Sequence, residues 1–268
     1  MKLPLRPLSP LSPFILSALL LSAAAAWAAI PPPAPRVLLY GEQHDQPDQQ
    51  RQVAQAVREL AARQRLAAVV LEMAERGGST AQLPAMADEG QVKEALRWSA
   101  AAWPWDTYKE VVMAAVRAEV PVLGGNLPRS KMRAAMEDAA LEGLVPPAVN
   151  DELKTAIREG HCGLLPREHE GGMLRIQLAR DESMAHTVAQ AAQSAAPGRQ
   201  VLLLSGAQHA ARDRGVPLHL QRLGFKPEDL YVTMFGEAPT DTTLPADRTL
   251  PAAFAQGPDP CEQLRNRK

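Results

Sequence analysis

Aromatic side chains are scarce, 4% of the 268-residue chain, against 46% hydrophobic residues dominated by Ala, Leu and Val. The core must therefore be aliphatic, with few rings to stack. Net charge is nearly absent: 29 Lys and Arg face 30 Asp and Glu, a formal −1. That balance gives no electrostatic footprint for nucleic acid, and no polybasic run argues for a membrane surface. Cysteine is limited to Cys162 and Cys261. In an oxidising compartment such a pair, far apart in sequence, is a disulfide candidate; sequence alone leaves two separate thiols as the alternative.

Long apolar runs are missing too, apart from a short one near the start. Met1-Lys2 and Arg6 give a positive beginning, Phe14 to Ala26 an apolar stretch, and Ala26-Trp27-Ala28 a small-x-small pattern. This layout predicts a secretory signal peptide over residues 1–29, too short for a comfortable membrane span, and a periplasmic mature protein. The competing reading is an uncleaved anchor. No cysteine lies near the cleavage position to accept a lipid, so release is expected. Residues 30–35 form a stiff Pro-rich spacer.

Beyond the spacer the chain alternates between two patterns. Short apolar runs at Arg36–Tyr40, Ala67–Leu71, Val120–Leu123, Val201–Leu204 and Leu230–Phe235 each end at a Gly or a polar residue. Continuous apolar runs of this length suit strands buried on both faces. Between them, Val53, Val57, Leu60 and Ala61 fall at helical spacing, as do stretches within 92–97, 108–118, 130–140 and 168–192. The pattern predicts an α/β domain over residues 36–236: a mainly parallel central sheet with flanking helices. Residues 127–196 show no convincing strand and read as an inserted helical subdomain. Residues 237–268, rich in Pro, Asp and Thr, read as a loop-rich tail.

In an open parallel sheet, ligands bind outside the carboxyl ends of the strands. His44 comes after the first run in Gly41-Glu42-Gln43-His44, and His209 after the fourth in Gly206-Ala207-Gln208-His209. Glu72 ends the second run and Asn126 comes after the third, so four polar groups share one predicted edge. The glycine in each turn permits a sharp bend and a close backbone approach. A lone loop histidine is usually a surface or hydrogen-bonded residue, but two in matching contexts point to a site. Glu72 has its own plain reading, as a cap for the next helix. Two imidazoles and several carboxylates, Glu42 and Asp45 among them, can hold a divalent metal through His44, Glu72 and His209, or flank a buried ligand.

These motifs carry a resemblance. Leu38-Leu39-Tyr40-Gly41-Glu42-Gln43-His44-Asp45 resembles the opening motif of the ChaN-like haem-binding uptake family of the Tiki superfamily. Trp105-Asp106-Thr107-Tyr108 and Pro121-Val122-Leu123-Gly124-Gly125-Asn126-Leu127-Pro128-Arg129 extend it. His161-Cys162-Gly163, Gln177-Leu178-Ala179-Arg180-Asp181 and Gly206-Ala207-Gln208-His209 come next in order, so that the likeness runs from Arg36 to Phe235. It implies an α/β domain with a helical subdomain, non-covalent haem, and a homodimer whose interface holds the haem, as in the family's best-known member. Outer- or inner-membrane uptake components are the partners it implies. Members often carry histidines shortly after the first motif, where this chain has Gln49-Gln50; the best-known member is a lipoprotein, whereas this chain lacks the acceptor cysteine.

Haem needs an axial ligand in an apolar slot, and no Cys-x-x-Cys-His is present to attach it. The candidates are His44, Tyr108 and His209, with His161, His169 and His186 further off. Trp103, Trp105 and Tyr108 can supply a flat wall or simply pack. Arg129 and Arg180 can pair with haem propionates, although Arg180 beside Asp181 equally reads as a structural ion pair. The superfamily also includes metalloproteases built on paired Gly-x-x-His turns, so a metal-dependent hydrolase, with Glu42 activating water, is the alternative function.

Overall fold

Val37, Leu38, Leu39 and Tyr40 succeed one another with no polar break, and all four are buried. Successive side chains of a strand point to opposite faces, so such a run needs cover on both. The computed structural model describes residues 35–236, 244–254 and 260–265 and supplies that cover. The expected signal peptide, and all of the spacer but Pro35, lie outside the described residues.

In chain order, β1 (Val37–Glu42) leads to α1 (Pro47–Ala62), and β2 (Leu66–Glu75) to α2 (Glu89–Ala95) and α3 (Trp105–Arg117). After β3 (Val122–Asn126) come α4 (Met132–Glu137), α5 (Pro147–Gly160) and the long α6 (Arg167–Ser194). Then β4 (Gln200–Gly206), α7 (Ala207–Ala210), α8 (Val216–Arg222) and β5 (Leu230–Gly236) complete the alternation. The strands lie in the order β3-β2-β4-β1-β5, and every pairing is parallel. All five expected strands are present, and the α/β class holds.

Local chemistry sets the helix starts. Pro47 occupies the first turn of α1, where its missing N–H costs nothing, and Asp48 beside it suits the positive end of the dipole. A capping box opens α2: Asp88 accepts from Gln91 N, and the Gln91 side chain accepts from Asp88 N.

The two faces of the sheet divide the core. Leu38, Tyr40, Val69 and Leu71 pack with Val53, Val57 and Leu60 of α1 and Val111, Val112 and Ala115 of α3. Val37, Leu39, Val70 and Leu203 pack with Met184 and Val188 of α6 and Val216 and Leu220 of α8. A smaller cluster of Val145, Leu153, Leu174 and Leu178 ties α5 to the first half of α6. Between Asn126 and Gln200 the described chain is helical, without a strand. At 28 residues, α6 is about 42 Å long, longer than the sheet it backs.

The tail differs from the expectation. Residues 248–251 form β6 (Arg248–Pro251), which pairs parallel with β5 and becomes the edge strand. Asp247 anchors it, accepting from Val232 N at 2.7 Å and pairing with Arg212. Beyond β6, Gln52 of α1 donates to Pro251 O at 2.9 Å, and Ala253 N donates to Asp48 at 3.0 Å. A short helix, α9 (Pro260–Arg265), then carries Cys261, which is bonded to Cys162 just after α5. The run Arg-Thr-Leu-Pro is too short and too exposed to stand out as an apolar run. Its strand character comes from β5.

The bridge spans 99 residues, so it restricts the unfolded chain strongly. Cys162→Ser with Cys261→Ser is expected to lower stability by about 2–5 kcal/mol. Urea unfolding under non-reducing conditions checks this; equal midpoints for both forms would mean that the bridge contributes nothing to the fold.

Candidate functional site

Three neighbouring strands, β2, β4 and β1, deliver the central groups to one edge of the sheet. Glu42 ends β1, and His44 comes two residues later. Glu72 lies in β2 where its pairing with β3 slips between Leu71 and Glu75. Such irregularities re-aim side chains. His209 sits in α7, directly after β4. Asn126, at the end of β3, donates to Glu72 O at 2.8 Å, so the fourth expected residue is present as a brace.

The two turn glycines serve close approach rather than an unusual backbone, since neither has positive φ. A Cβ on Gly41 would meet Met234 Sδ at 2.4 Å, and one on Gly206 would meet His44 Nε2 at 3.0 Å. Gly206 N also donates to Glu72 Oε2 at 2.7 Å.

Around Glu42 the arrangement is a buried hydrogen-bond fan. His44 Nδ1 lies 2.8 Å from Glu42 Oε1, and the Tyr108 hydroxyl donates to the same oxygen at 2.9 Å. Gln50 donates to Glu42 Oε2, and Gln49 accepts from Gln43 N at 2.7 Å. Gln49 and Gln50, which replace the expected histidines, are thus buried supports of the turn. Burial pushes the Glu42 carboxyl up, and the bonds from His44, Tyr108 and Gln50 offset only part of that. At His44 burial favours the neutral ring, but the bond to Glu42 and the charges of Glu72 and Glu42 outweigh it, so its pKa rises. Tyr108 is fully buried; burial, reinforced by Glu42, holds its phenol far above the usual range. The aromatic cluster is ordinary packing and wall at once. Trp98 meets Trp105 and Tyr108, while Trp103 meets the His44 ring edge-on at 4.7 Å.

Glu72 and His209 form the second half. His209 Nε2 is 3.3 Å from Glu72 Oε1, and its Nδ1 is 2.6 Å from Asp181 Oδ1 and 3.0 Å from the Gln177 amide. Burial opposes the charged imidazole, yet the two flanking carboxylates hold its pKa up at about 10. Burial likewise opposes the Glu72 carboxylate, but His209, His44 and Gly206 N–H keep it well below its usual range. One imidazolium cannot fully compensate two buried carboxylates. At Asp181, whose Oδ2 has no hydrogen-bond partner, burial wins and the carboxyl rises to about 6.

The residues named for a metal therefore meet, but as ion pairs. His209 has both nitrogens engaged, and His44 Nε2 stands 3.9 Å from Glu72. Among the described residues no group of three or more His, Cys, Asp or Glu is placed to hold a metal ion. Asp181 turns to His209 rather than to Arg180, because adjacent helix residues do not face each other. Tyr108 stands behind His44 and His209 beneath it. His161 bonds to Ile157 O at the end of α5, His169 is exposed in the first turn of α6, and His186 lines a cavity on the far side of that helix. Asp181 and Gln177 were not expected at the site; four apart on α6, they share the face that meets His209.

Beside Glu72 a cavity of about 240 Å³ is lined by Trp103, Asn126, Arg97, Arg129 and Arg180. A larger one, about 700 Å³, runs along β3 beside α6 and touches none of the clustered groups. The smaller one meets the cluster at Glu72 and Asn126. No helix among the described residues is long and apolar enough to cross a membrane.

A parallel sheet with a braced carboxylate–imidazole cluster at its carboxyl edge, backed by a helical subdomain, makes this an α/β protein with its candidate site at the strand ends. The chain belongs to the family described as haem-binding uptake, Tiki superfamily, ChaN, which matches residues 33–220. Among solved structures it is similar to that of cofacial heme binding to ChaN of Campylobacter jejuni, at 22% identity and TM-score 0.67, covering 82% of this chain and 89% of that one. More remote are the type III effector HopBA1 (11% identity, TM-score 0.44, 82% and 88% covered) and a mutant of erythromycin esterase EreC in its open conformation (14%, 0.44, 75% and 70%). No curated protein matches by sequence.

The His209 ion pairs carry a pH signature. Unfolded, the imidazole loses its proton near 6.5; folded, it keeps it to about 10. Between those values the folded state binds more protons at His209, so the contribution of His209 to stability is full below pH 6.5 and is lost as pH rises towards about 10. His209→Gln is expected to flatten that decline and to cost about 3–5 kcal/mol at pH 6, since it leaves the buried Glu72 carboxylate without its ion-pair partner. Urea midpoints of both proteins across this range test it; parallel pH profiles would remove His209 as the source.

Proposed function

We propose that the protein binds haem non-covalently at the carboxyl edge of the sheet, with His44 as the iron ligand. One observation carries this: His44 is the clustered imidazole that remains accessible. Its side chain is 38% exposed, Nδ1 is fixed by Glu42, Nε2 makes no hydrogen bond among the described residues and stands 3.9 Å from Glu72, and Trp103 walls the ring. A carboxylate on the far nitrogen orients an imidazole ligand and raises its basicity. Haem, when bound, supplies an iron that accepts the imidazole lone pair. Tyr108, sealed behind His44, acts as a positioning residue that shares Glu42 with it. Glu72 and His209 hold the floor.

The cavity of about 240 Å³ is smaller than an ordinary ligand pocket of roughly 300–1,000 Å³, so it would not by itself enclose a porphyrin ring. A second copy of the chain is the partner that would cover its open face. The role we assign is haem or iron uptake and handling in the periplasm, with outer- or inner-membrane uptake components delivering or receiving the haem. Membership of the haem-binding family supports this role.

A hemin titration followed by absorbance tests the site. A saturable Soret shift is expected, with the band moved or lost in His44→Ala. Glu42→Gln, which leaves the ring but weakens its orientation, is expected to reduce affinity by about tenfold. A spectrum no different from that with an unrelated protein, or one that His44→Ala leaves intact, would sink this reading.

A further inference from the structure

The edge of the sheet at β3 is closed by a strap of chain rather than by a helix. After β2, residues 76–81 turn back along β3, and Ser79 bridges to Leu123 in the antiparallel sense. Gly124 N donates to Gly78 O at 2.9 Å, and Thr80 N donates to Val122 O at 3.0 Å. These bonds occupy backbone groups that an edge strand would otherwise leave open. The strap brings no large apolar side chain with it, since it reads Arg-Gly-Gly-Ser-Thr-Ala. Gly78 has to stay bare, because a Cβ there would meet Leu96 O at 2.6 Å.

What the strap leaves open is the cavity of about 700 Å³ between β3 and the second half of α6. Thr187, Gln190, Ala191 and Ser194 line it from α6, at the spacing of one helix face. Ala67 and Leu123 line it from the sheet; with Ala191 they pack against the α6-side core yet are only partly buried. The core therefore opens to solvent here, and apolar surface stays uncovered. The lining also holds two cations and no carboxylate. Arg76 lies just past the carboxyl end of β2 and Arg199 just before the amino end of β4, so positive charge flanks the groove at opposite edges of the sheet. Neither guanidinium has a hydrogen bond or an ion pair among the described residues.

We propose that this groove binds an elongated amphipathic carboxylate, an acyl chain with a free acid head. The tail lies along β3 over Ala67, Leu123 and Ala191, and the head pairs with one of the two guanidinium groups. The volume of about 700 Å³ falls within the roughly 300–1,000 Å³ of small-molecule sites. The five residues of β3 give the groove a length of about 16 Å, which suits an extended chain better than a compact one. A guanidinium offers the planar, two-pronged match that a carboxylate requires, and no lining carboxylate competes for it. The groove touches none of the clustered groups at the strand ends, so this site stands independently of the haem reading.

The test uses anilinonaphthalene sulfonate, a fluorescent apolar anion, on the intact chain, with decanoate and decanol as competitors. Decanoate is expected to displace it at about tenfold lower concentration than decanol, which has the same tail and no charge. Arg76→Gln combined with Arg199→Gln is expected to remove that difference and to leave the melting temperature unchanged, because both side chains are exposed. Ala191→Phe, which fills the groove from α6, is expected to weaken both competitors about tenfold. His44→Ala is expected to leave the displacement as it is. The proposal is overturned if the protein does not enhance the fluorescence, or if decanoate and decanol compete alike. A difference that survives the paired arginine changes, or competition that Ala191→Phe leaves intact, overturns it as well. Loss of decanoate competition in His44→Ala would move the acid to the strand-end cluster and empty the groove.

Discussion

Glu72 is the constraint around which the edge of this sheet is organised. A carboxylate buried at the end of a central strand is tolerable only if charge and hydrogen-bond donors surround it. Here β4 supplies both, through Gly206 N–H and through His209 one helical turn on. His209 then needs its own second partner, which α6 provides in Asp181. The same α6 packs Met184 and Val188 into the sheet, so the ion pairs are registered by the core. His44, leaning on Glu42 from the neighbouring strand, is the outermost member of this chain of groups and the one that solvent reaches.

Much of this is legible in the sequence. Strands buried on both faces announce themselves as unbroken apolar runs, and the rule that parallel sheets use their carboxyl ends places His44, Glu72, Asn126 and His209 together. What stays hidden has physical reasons. Asp181 and Gln177 lie in the middle of a helix whose register against the sheet no local pattern states. Tyr108 can be named as a ring near the site, but its depth behind His44 depends on how α3 meets α1. β6 draws its identity from a neighbour rather than from its own residues, which is why the tail reads as loop.

The metal alternative shows how residue type underdetermines chemistry. His44, Glu72 and His209 have suitable donor atoms and come together as expected. Yet both ring nitrogens of His209, where a metal would need a lone pair, are already engaged as donors to carboxylates. The difference between a ligand set and an ion-pair chain lies in which atoms face inward, and that is decided by Asp181, outside the motif. The same cluster leaves one imidazole nitrogen, His44 Nε2, without a hydrogen bond, and it is this asymmetry between the two Gly-x-x-His turns that separates their roles.

The bridge between Cys162 and Cys261 has a consequence for assembly. Its first half follows α5 in the helical subdomain, and its second lies 99 residues further on, after the edge strand of the sheet. The Cys162 thiol therefore stays uncommitted during synthesis until β5, β6 and the segment that carries Cys261 have emerged. Covalent closure then ties the helical subdomain to the segment that follows the edge strand.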